Sequence, residues 1–139
     1  MTRVLANVTC VAIDGRGVLI EGAPGSGKSS LALALLDRGA QLVGDDGVTL
    51  RTEGGQIIVA PPPHIAGKLE IRNVGIVELP AVSAPLALVI ALDEDSPRLP
   101  DPGLTRIIDG ITLPLVRLNP RMPHPHLRVE WALQHCIGG

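Results

Sequence analysis

The chain has 139 residues, 45% of them hydrophobic, which suits one domain built round a single core and not a multidomain enzyme. One tryptophan and no phenylalanine or tyrosine leave that core to Leu, Val, Ile and Ala, and remove the aromatic platforms on which single-stranded nucleic acid stacks. A formal net charge of -2 supplies no broad basic field for nucleic acid or anionic membrane.

In chain order, Leu5 to Ile13 reads as a largely buried strand. Asp14-Gly15-Arg16-Gly17 turns it into an antiparallel hairpin whose return strand is Gly17-Val18-Leu19-Ile20-Glu21. Gly22-Ala23-Pro24-Gly25-Ser26-Gly27-Lys28-Ser29 then matches the phosphate-cradling pattern G-x-x-x-x-G-K-[ST] at every fixed position. The glycines let the backbone curl so that its N–H groups face phosphate oxygens, and the following helix presents its positive end. In that pattern Lys28 reaches the β- and γ-phosphates and the Ser29 hydroxyl ligates Mg²⁺, with Ser30 the last residue of the nucleotide-contacting stretch. Ser29 to Arg38 is rich in helix formers and is closed by Gly39, so strand, loop and helix arrive in the order the motif requires.

Gln41-Leu42-Val43-Gly44 is a short apolar strand, expected beside the one feeding the loop, that delivers Asp45 and Asp46 at its end. Asp-Asp-Gly is a common turn opener, but behind a phosphate loop the pair suits phosphoryl transfer, which needs one carboxylate for the metal and one for the acceptor. Val48 to Arg51 pairs with Gln56 to Val59 across Glu53-Gly54-Gly55, and Pro61 to Pro63 end that run. Lys68 to Arg72 and Gly75 to Leu79 are short extended pieces. Alternation puts Lys68, Glu70 and Arg72 on one side of the first, which by periodicity alone reads as a solvated edge face. Leu86 to Leu92 is a continuous apolar strand suited to the sheet centre, and Asp93 to Gly103 a charged, proline-rich surface loop. Thr105 to Leu118 is a further β segment with a bend near Asp109-Gly110 and Pro114, and Leu127 to Cys136 a terminal helix that Trp131 packs onto the sheet or a neighbouring subunit. Many short strands and few helices point to a mixed sheet in an α/β fold, not a regular βαβ series.

Cys10 and Cys136 have no metal-ligand or disulfide spacing and read as free thiols of a reducing compartment. His124-Pro125-His126 reads as a proline-bounded surface loop, and His64 as a loop residue able to line an acceptor cleft. The start of the chain shows no basic region followed by a long apolar run, and the most apolar stretch, Pro85 to Leu92, is too short to cross a bilayer, so the expected location is cytoplasmic with no membrane partner.

Taken together, the hairpin, the Gly22 to Ser29 loop, Leu42-Val43-Gly44-Asp45-Asp46 and Lys68-Leu69-Glu70-Ile71-Arg72-Asn73-Val74-Gly75-Ile76 resemble the catalytic C-terminal domain of HPr kinase/phosphorylase, from about Leu5 to Leu79. The resemblance implies a P-loop-containing mixed β-sheet related to phosphoenolpyruvate carboxykinase, in a short stand-alone form. It further implies ATP- and Mg²⁺-dependent transfer to a seryl hydroxyl of HPr, a carrier protein of the sugar phosphotransferase system, and assembly into a homo-oligomer, commonly a hexamer. Carried over by position, Asp45 is the general base toward the serine and the acid in the reverse, phosphorolytic direction. Lys28 serves the phosphates, Ser29, Asp46 and Glu70 the Mg²⁺, Arg72 the substrate or a neighbouring subunit, and Arg121 or Arg117 the transition-state charge. Two positions depart from the family pattern: Asn7 stands where a His is usual and Asn73 where a Gly is usual. They frame the alternative, a catalytically impaired ATP-sensing module of the same fold.

Overall fold

The computed structural model describes residues 2–63, 66–100 and 103–135; His64 and Cys136 lie outside them. In chain order the elements are β1 (Thr2–Ala6), β2 (Thr9–Ile13), β3 (Arg16–Glu21), α1 (Lys28–Asp37), β4 (Gln41–Gly44), β5 (Gly47–Glu53), β6 (Gln56–Ala60), β7 (Lys68–Ile71), β8 (Gly75–Glu78), β9 (Ala84–Leu92), β10 (Thr105–Ile108), β11 (Ile111–Leu118) and α2 (Pro125–Leu133). This is a mixed α/β architecture in which one curled sheet dominates. Its strands run in the order β1, β5, β6, β9, β3, β2, β4, with β11 and then β10 added at β9, while β7 and β8 form a separate ribbon.

Three of the hairpins close with the same device. Asp14-Gly15, Gly54-Gly55 and Asp109-Gly110 each form a two-residue turn with both φ angles positive, the geometry whose twist matches that of the flanking strands. Glycine or aspartate tolerates that conformation, which is why these turns were readable as residue pairs.

β9 is the centre, as its apolar run predicts. Leu88, Val89 and Ile90 are fully buried because β9 is covered on both faces. It runs parallel to β3 (Leu19 opposite Val89) and parallel to β11 (Val116 opposite Ile90), and only its first two residues pair with β6. The sheet therefore forks at β9, and the fork makes it curl. On one face Val11, Val18, Ile20, Leu88 and Ile90 pack under Leu31 and Leu35 of α1 and Val129 and Leu133 of α2. On the other, Cys10, Leu19 and Val89 meet Val43, Leu50, Ile57 and Val59 from the curled strands. Leu88→Ala should lower unfolding stability by about 3 kcal/mol through the lost burial and the void beneath α1. Urea denaturation measures this, and a change below about 1 kcal/mol would contradict the packing described.

Four features differ from the sequence reading. The Leu5 to Ile13 strand is two strands: Asn7 adopts a left-handed φ of 64°, so β1 swings away to pair with β5 while β2 pairs with β3. β4 does not lie beside β3, because β2 intervenes and pairs with both. Pro114 makes no bend; it sits inside β11 opposite Thr105, one residue before the pairing with β9 starts, where its missing N–H costs no ladder bond to β9. Trp131 is 72% exposed and does not pack onto the sheet, because Val129 and Leu133, one turn apart, take the inward face of α2. Cys10 is fully buried, and burial pushes its thiol up, consistent with an inert core cysteine. Among the described residues no helix is long and apolar enough to cross a membrane.

Two antiparallel steps, β3 to β2 and β2 to β4, leave β4 parallel to β3. The carboxyl ends of β3, β4, β9 and β11 thus share one edge of the sheet, where open α/β sheets place their ligands.

Candidate functional site

At that edge β3 hands the chain to a loop that cannot be built without glycine at key points. Gly25 and Gly27 have φ of 77° and 106°, and a Cβ at Gly22 would stand 2.6 Å from Ser26 Oγ. Ser26 N–H donates to the Ala23 carbonyl at 3.0 Å, which tightens the turn. The first bond of α1 runs from Leu31 N–H to the Gly27 carbonyl, so the N–H groups of Lys28, Ser29 and Ser30 precede the helical ladder. Lys28 Nζ donates to the carbonyls of Gly22 at 2.7 Å and Ala23 at 3.1 Å, folding over the loop. Ser26 Oγ is buried with no hydrogen-bond partner. Free N–H groups, an orphaned hydroxyl and a lysine over one small cradle are the donor set an oxyanion chain satisfies.

β4 brings up the acids. Asp45 is buried at 8% exposure, and its Oδ1 accepts from Ser29 Oγ at 2.8 Å and from Thr9 Oγ1 at 3.0 Å. Asp46 follows with a left-handed φ of 62° and is exposed. The β7–β8 ribbon closes the far side: Leu69 points inward and is fully buried, which turns Glu70 outward as alternation requires. Lys28, Ser29, Asp45, Asp46, Glu70 and Arg72 line one cavity of about 520 Å³. Periodicity alone reads Glu70 as a solvated edge, and the family resemblance reads it as a Mg²⁺ ligand; the ribbon makes that edge a cavity wall. Among the described residues no ready-made cluster of three metal-ligating His, Cys, Asp or Glu side chains forms. The available oxygens suit Mg²⁺, which typically takes one or two carboxylates beside substrate phosphates.

The two candidate arginines lie elsewhere. Arg117 donates through Nε to Asp93 Oδ2 at 3.1 Å, and Arg121, 80% exposed, pairs with Glu94. Arg121 lines a second cavity on the α2 side of the loop, away from the Asp45–Asp46 pair.

The model of the HPr Serine kinase C-terminal domain matches residues 2–84, which carry the loop, both aspartates and the β7–β8 ribbon. The chain belongs to the HPr serine kinase C-terminal domain family. An HPr kinase/phosphorylase of Limosilactobacillus reuteri (strain DSM 20016) is 37% identical over 120 residues, covering 76% of this chain and 38% of the relative. One of Brevibacillus brevis is 50% identical over 68 residues, covering 48% and 22%. The solved structure of the Hpr(Ser) kinase/phosphatase from Coxiella burnetii matches with a TM-score of 0.80 at 32% identity, covering 96% of this chain and 95% of that one. The chain spans 38% of the length of the Limosilactobacillus relative.

Within this HPr-kinase-family domain, the residue that sequence reasoning missed is Thr9. It is 1% exposed and holds Asp45, yet a threonine in a β-rich run carries no chemical signal until the fold sets it opposite β4. The two asparagines that the resemblance marks as unusual also acquire positions. Asn7 N–H donates to the Asp46 carbonyl at 3.1 Å, so the β1–β2 break abuts the acidic turn. Asn73 has φ of 72° at the tip of the β7–β8 hairpin, a left-handed conformation that asparagine tolerates nearly as glycine does.

Proposed function

We propose that this domain is the catalytic part of an ATP- and Mg²⁺-dependent serine kinase acting on the carrier protein HPr, with phosphorylase activity in reverse, on a P-loop scaffold related to phosphoenolpyruvate carboxykinase. The observation that carries the reading is the Ser29–Asp45 hydrogen bond, which couples the glycine-rich loop to the acidic pair within one cavity. The names and the structural match of the relatives support the substrate assignment.

In this reading the stretch Gly22 to Ser30 wraps the phosphates with its free N–H groups, and Lys28 exchanges the Gly22 and Ala23 carbonyls for phosphate oxygens. Ser29, Asp46 and Glu70 hold Mg²⁺, which when bound offsets charge on the transferred group. Asp45 accepts the proton of the seryl hydroxyl, and returns it in the phosphorolytic direction. Its Oδ1 is taken by Thr9 and Ser29, so the proton is received at Oδ2. Arg72 lines the acceptor side and meets HPr or a neighbouring subunit. Arg121 reaches the transferred group only by leaving Glu94, a swing its exposed side chain permits. Exposed Val74, Ile76 and Trp131 support assembly into a homo-oligomer, a hexamer by resemblance, which light scattering tests.

Incubating the domain with labelled ATP, Mg²⁺ and HPr should yield phosphoserine on HPr. ATP binding without transfer would instead support the ATP-sensing module, a reading favoured by Asn7 standing where the family usually has histidine, beside Asp46. Thr9→Val removes one donor from Asp45 while keeping the side-chain shape. Transfer should fall about tenfold with ATP affinity unchanged, and Thr9→Ser should restore it; equal rates for all three proteins would exclude the positioning role.

A further inference from the structure

The second cavity, about 620 Å³, lies across the loop from the acidic pair, and the two cavities share Gly25, Gly27 and Ser30. A phosphate chain lying in the loop therefore has one end in each. The two ends differ in chemistry. On the Asp45 side stands Lys28, and Asp46 and Glu70 have no cationic partner among the described residues, so that side attracts a metal ion. On the other side Asp93 is tied to Arg117 and Glu94 to Arg121. The floor is apolar, made by Leu31 and Ala34 of α1 and Leu92 at the end of β9, with Pro120 and Pro125 above it.

From this asymmetry, and resting on the nucleotide reading above, we infer that the cavity beside α2 is the nucleoside subsite, and that it accepts the base by shape and apolar contact with little regard to which purine is present. The volume falls within the range of small-molecule sites, and the mixture of apolar floor and few polar groups is what such sites present. The wall is preformed. Asp93 N–H donates to the Leu118 carbonyl at 2.9 Å, Asp95 N–H to Asp93 Oδ1 at 2.9 Å, and Asn119 Nδ2 to the Glu94 carbonyl at 3.4 Å. Arg117 beside Asp93 holds that carboxyl below the usual carboxylate range, so the tie persists at neutral pH. Asp95 has no cationic partner among the described residues, leaving an exposed acceptor at the rim for ribose hydroxyls. Weak base discrimination follows from what lines the walls. The chain has no Phe or Tyr, Trp131 does not line the cavity, and His126 is the one aromatic ring among the lining residues, so no extended aromatic face stacks the base.

Calorimetric titration with Mg-ATP, Mg-GTP and Mg-tripolyphosphate tests this on the whole chain. ATP and GTP should bind within about fivefold of each other, and both tighter than tripolyphosphate. Ala34→Leu, which fills the floor from a helix-compatible position, should weaken both nucleotides by about tenfold and leave tripolyphosphate within about twofold. Independently, amide and methyl shifts of the ATP-saturated wild type, compared with the tripolyphosphate-saturated one, should differ at Leu31, Ala34, Leu92 and His126. Differences confined to the Thr9 and Glu70 side, or nucleotide affinity unmoved by Ala34→Leu, would overturn the subsite. A purine preference above about tenfold would overturn the indifference to the base. Failure of all three ligands to bind wild type would sink the phosphate-loop reading itself, a result distinct from either.

Discussion

Asp45→Asn should cut phosphoryl transfer to the acceptor serine by about a thousandfold while ATP affinity stays within about twofold of wild type. The substitution is nearly isosteric. The amide oxygen still accepts from Thr9 and Ser29, so the hydroxyl pair keeps its partner. What is lost is the group at the second position, since an amide nitrogen accepts no proton. Single-turnover transfer to HPr, measured beside equilibrium ATP binding, separates the two quantities. Transfer at the wild-type rate would show that the base lies elsewhere. A parallel loss of ATP affinity would show Asp45 to be part of the nucleotide site, acting through Ser29. Asp46→Asn is the useful comparison. Asp46 is exposed and accepts no side-chain hydrogen bond among the described residues, so its substitution should raise the Mg²⁺ concentration needed for half-maximal transfer more than it lowers the rate at saturation.

Gly44→Ala should be the most damaging small change in the chain. A Cβ at Gly44 would stand 2.2 Å from the Gly47 carbonyl oxygen and 3.0 Å from both Pro62 Cδ and Val48 Cγ1. The first of these is backbone and has no rotamer by which to yield, so the turn carrying Asp45 and Asp46 has to move. A cost of about 3 kcal/mol is expected, seen as a fall of about 10 °C in melting temperature. The displaced turn should also separate Asp45 from Ser29, so transfer falls further than the loss of folded protein explains. Gly55→Ala is the control: the site has open space around it, and only the left-handed φ of 78° is penalised, by about 1 kcal/mol. If both substitutions shift the melting temperature equally, close packing behind the acidic turn is not what requires glycine at position 44.

The loop, helix and most strands were legible because their signals are local. Glycines at 22, 25 and 27, the lysine that follows and the two-residue turns all encode backbone conformations spanning a few residues, and nothing distant overrides them. Continuous apolarity likewise revealed β9, since only burial on both faces tolerates it. The break at Asn7 was missed because a single asparagine, a poor strand former that tolerates positive φ, stands between β-rich residues on both sides; a partner strand, β5, decides where β1 goes.

By itself the sequence marked the candidates for phosphate and metal chemistry in the proposed reading, because residue type and local spacing suffice to recognise a glycine loop, an acidic pair and the start of a helix. Only the tertiary structure decided which of them lie together. β2 between β3 and β4 sets Thr9 against Asp45, the β7–β8 ribbon makes Glu70 a wall of that cavity, and Arg121 and Arg117, paired with Glu94 and Asp93, stand on the other side of the loop. The physical reason is that strand order and loop closure depend on how apolar faces bury one another across the whole chain, and a side chain's partner is whatever that burial leaves within hydrogen-bond reach.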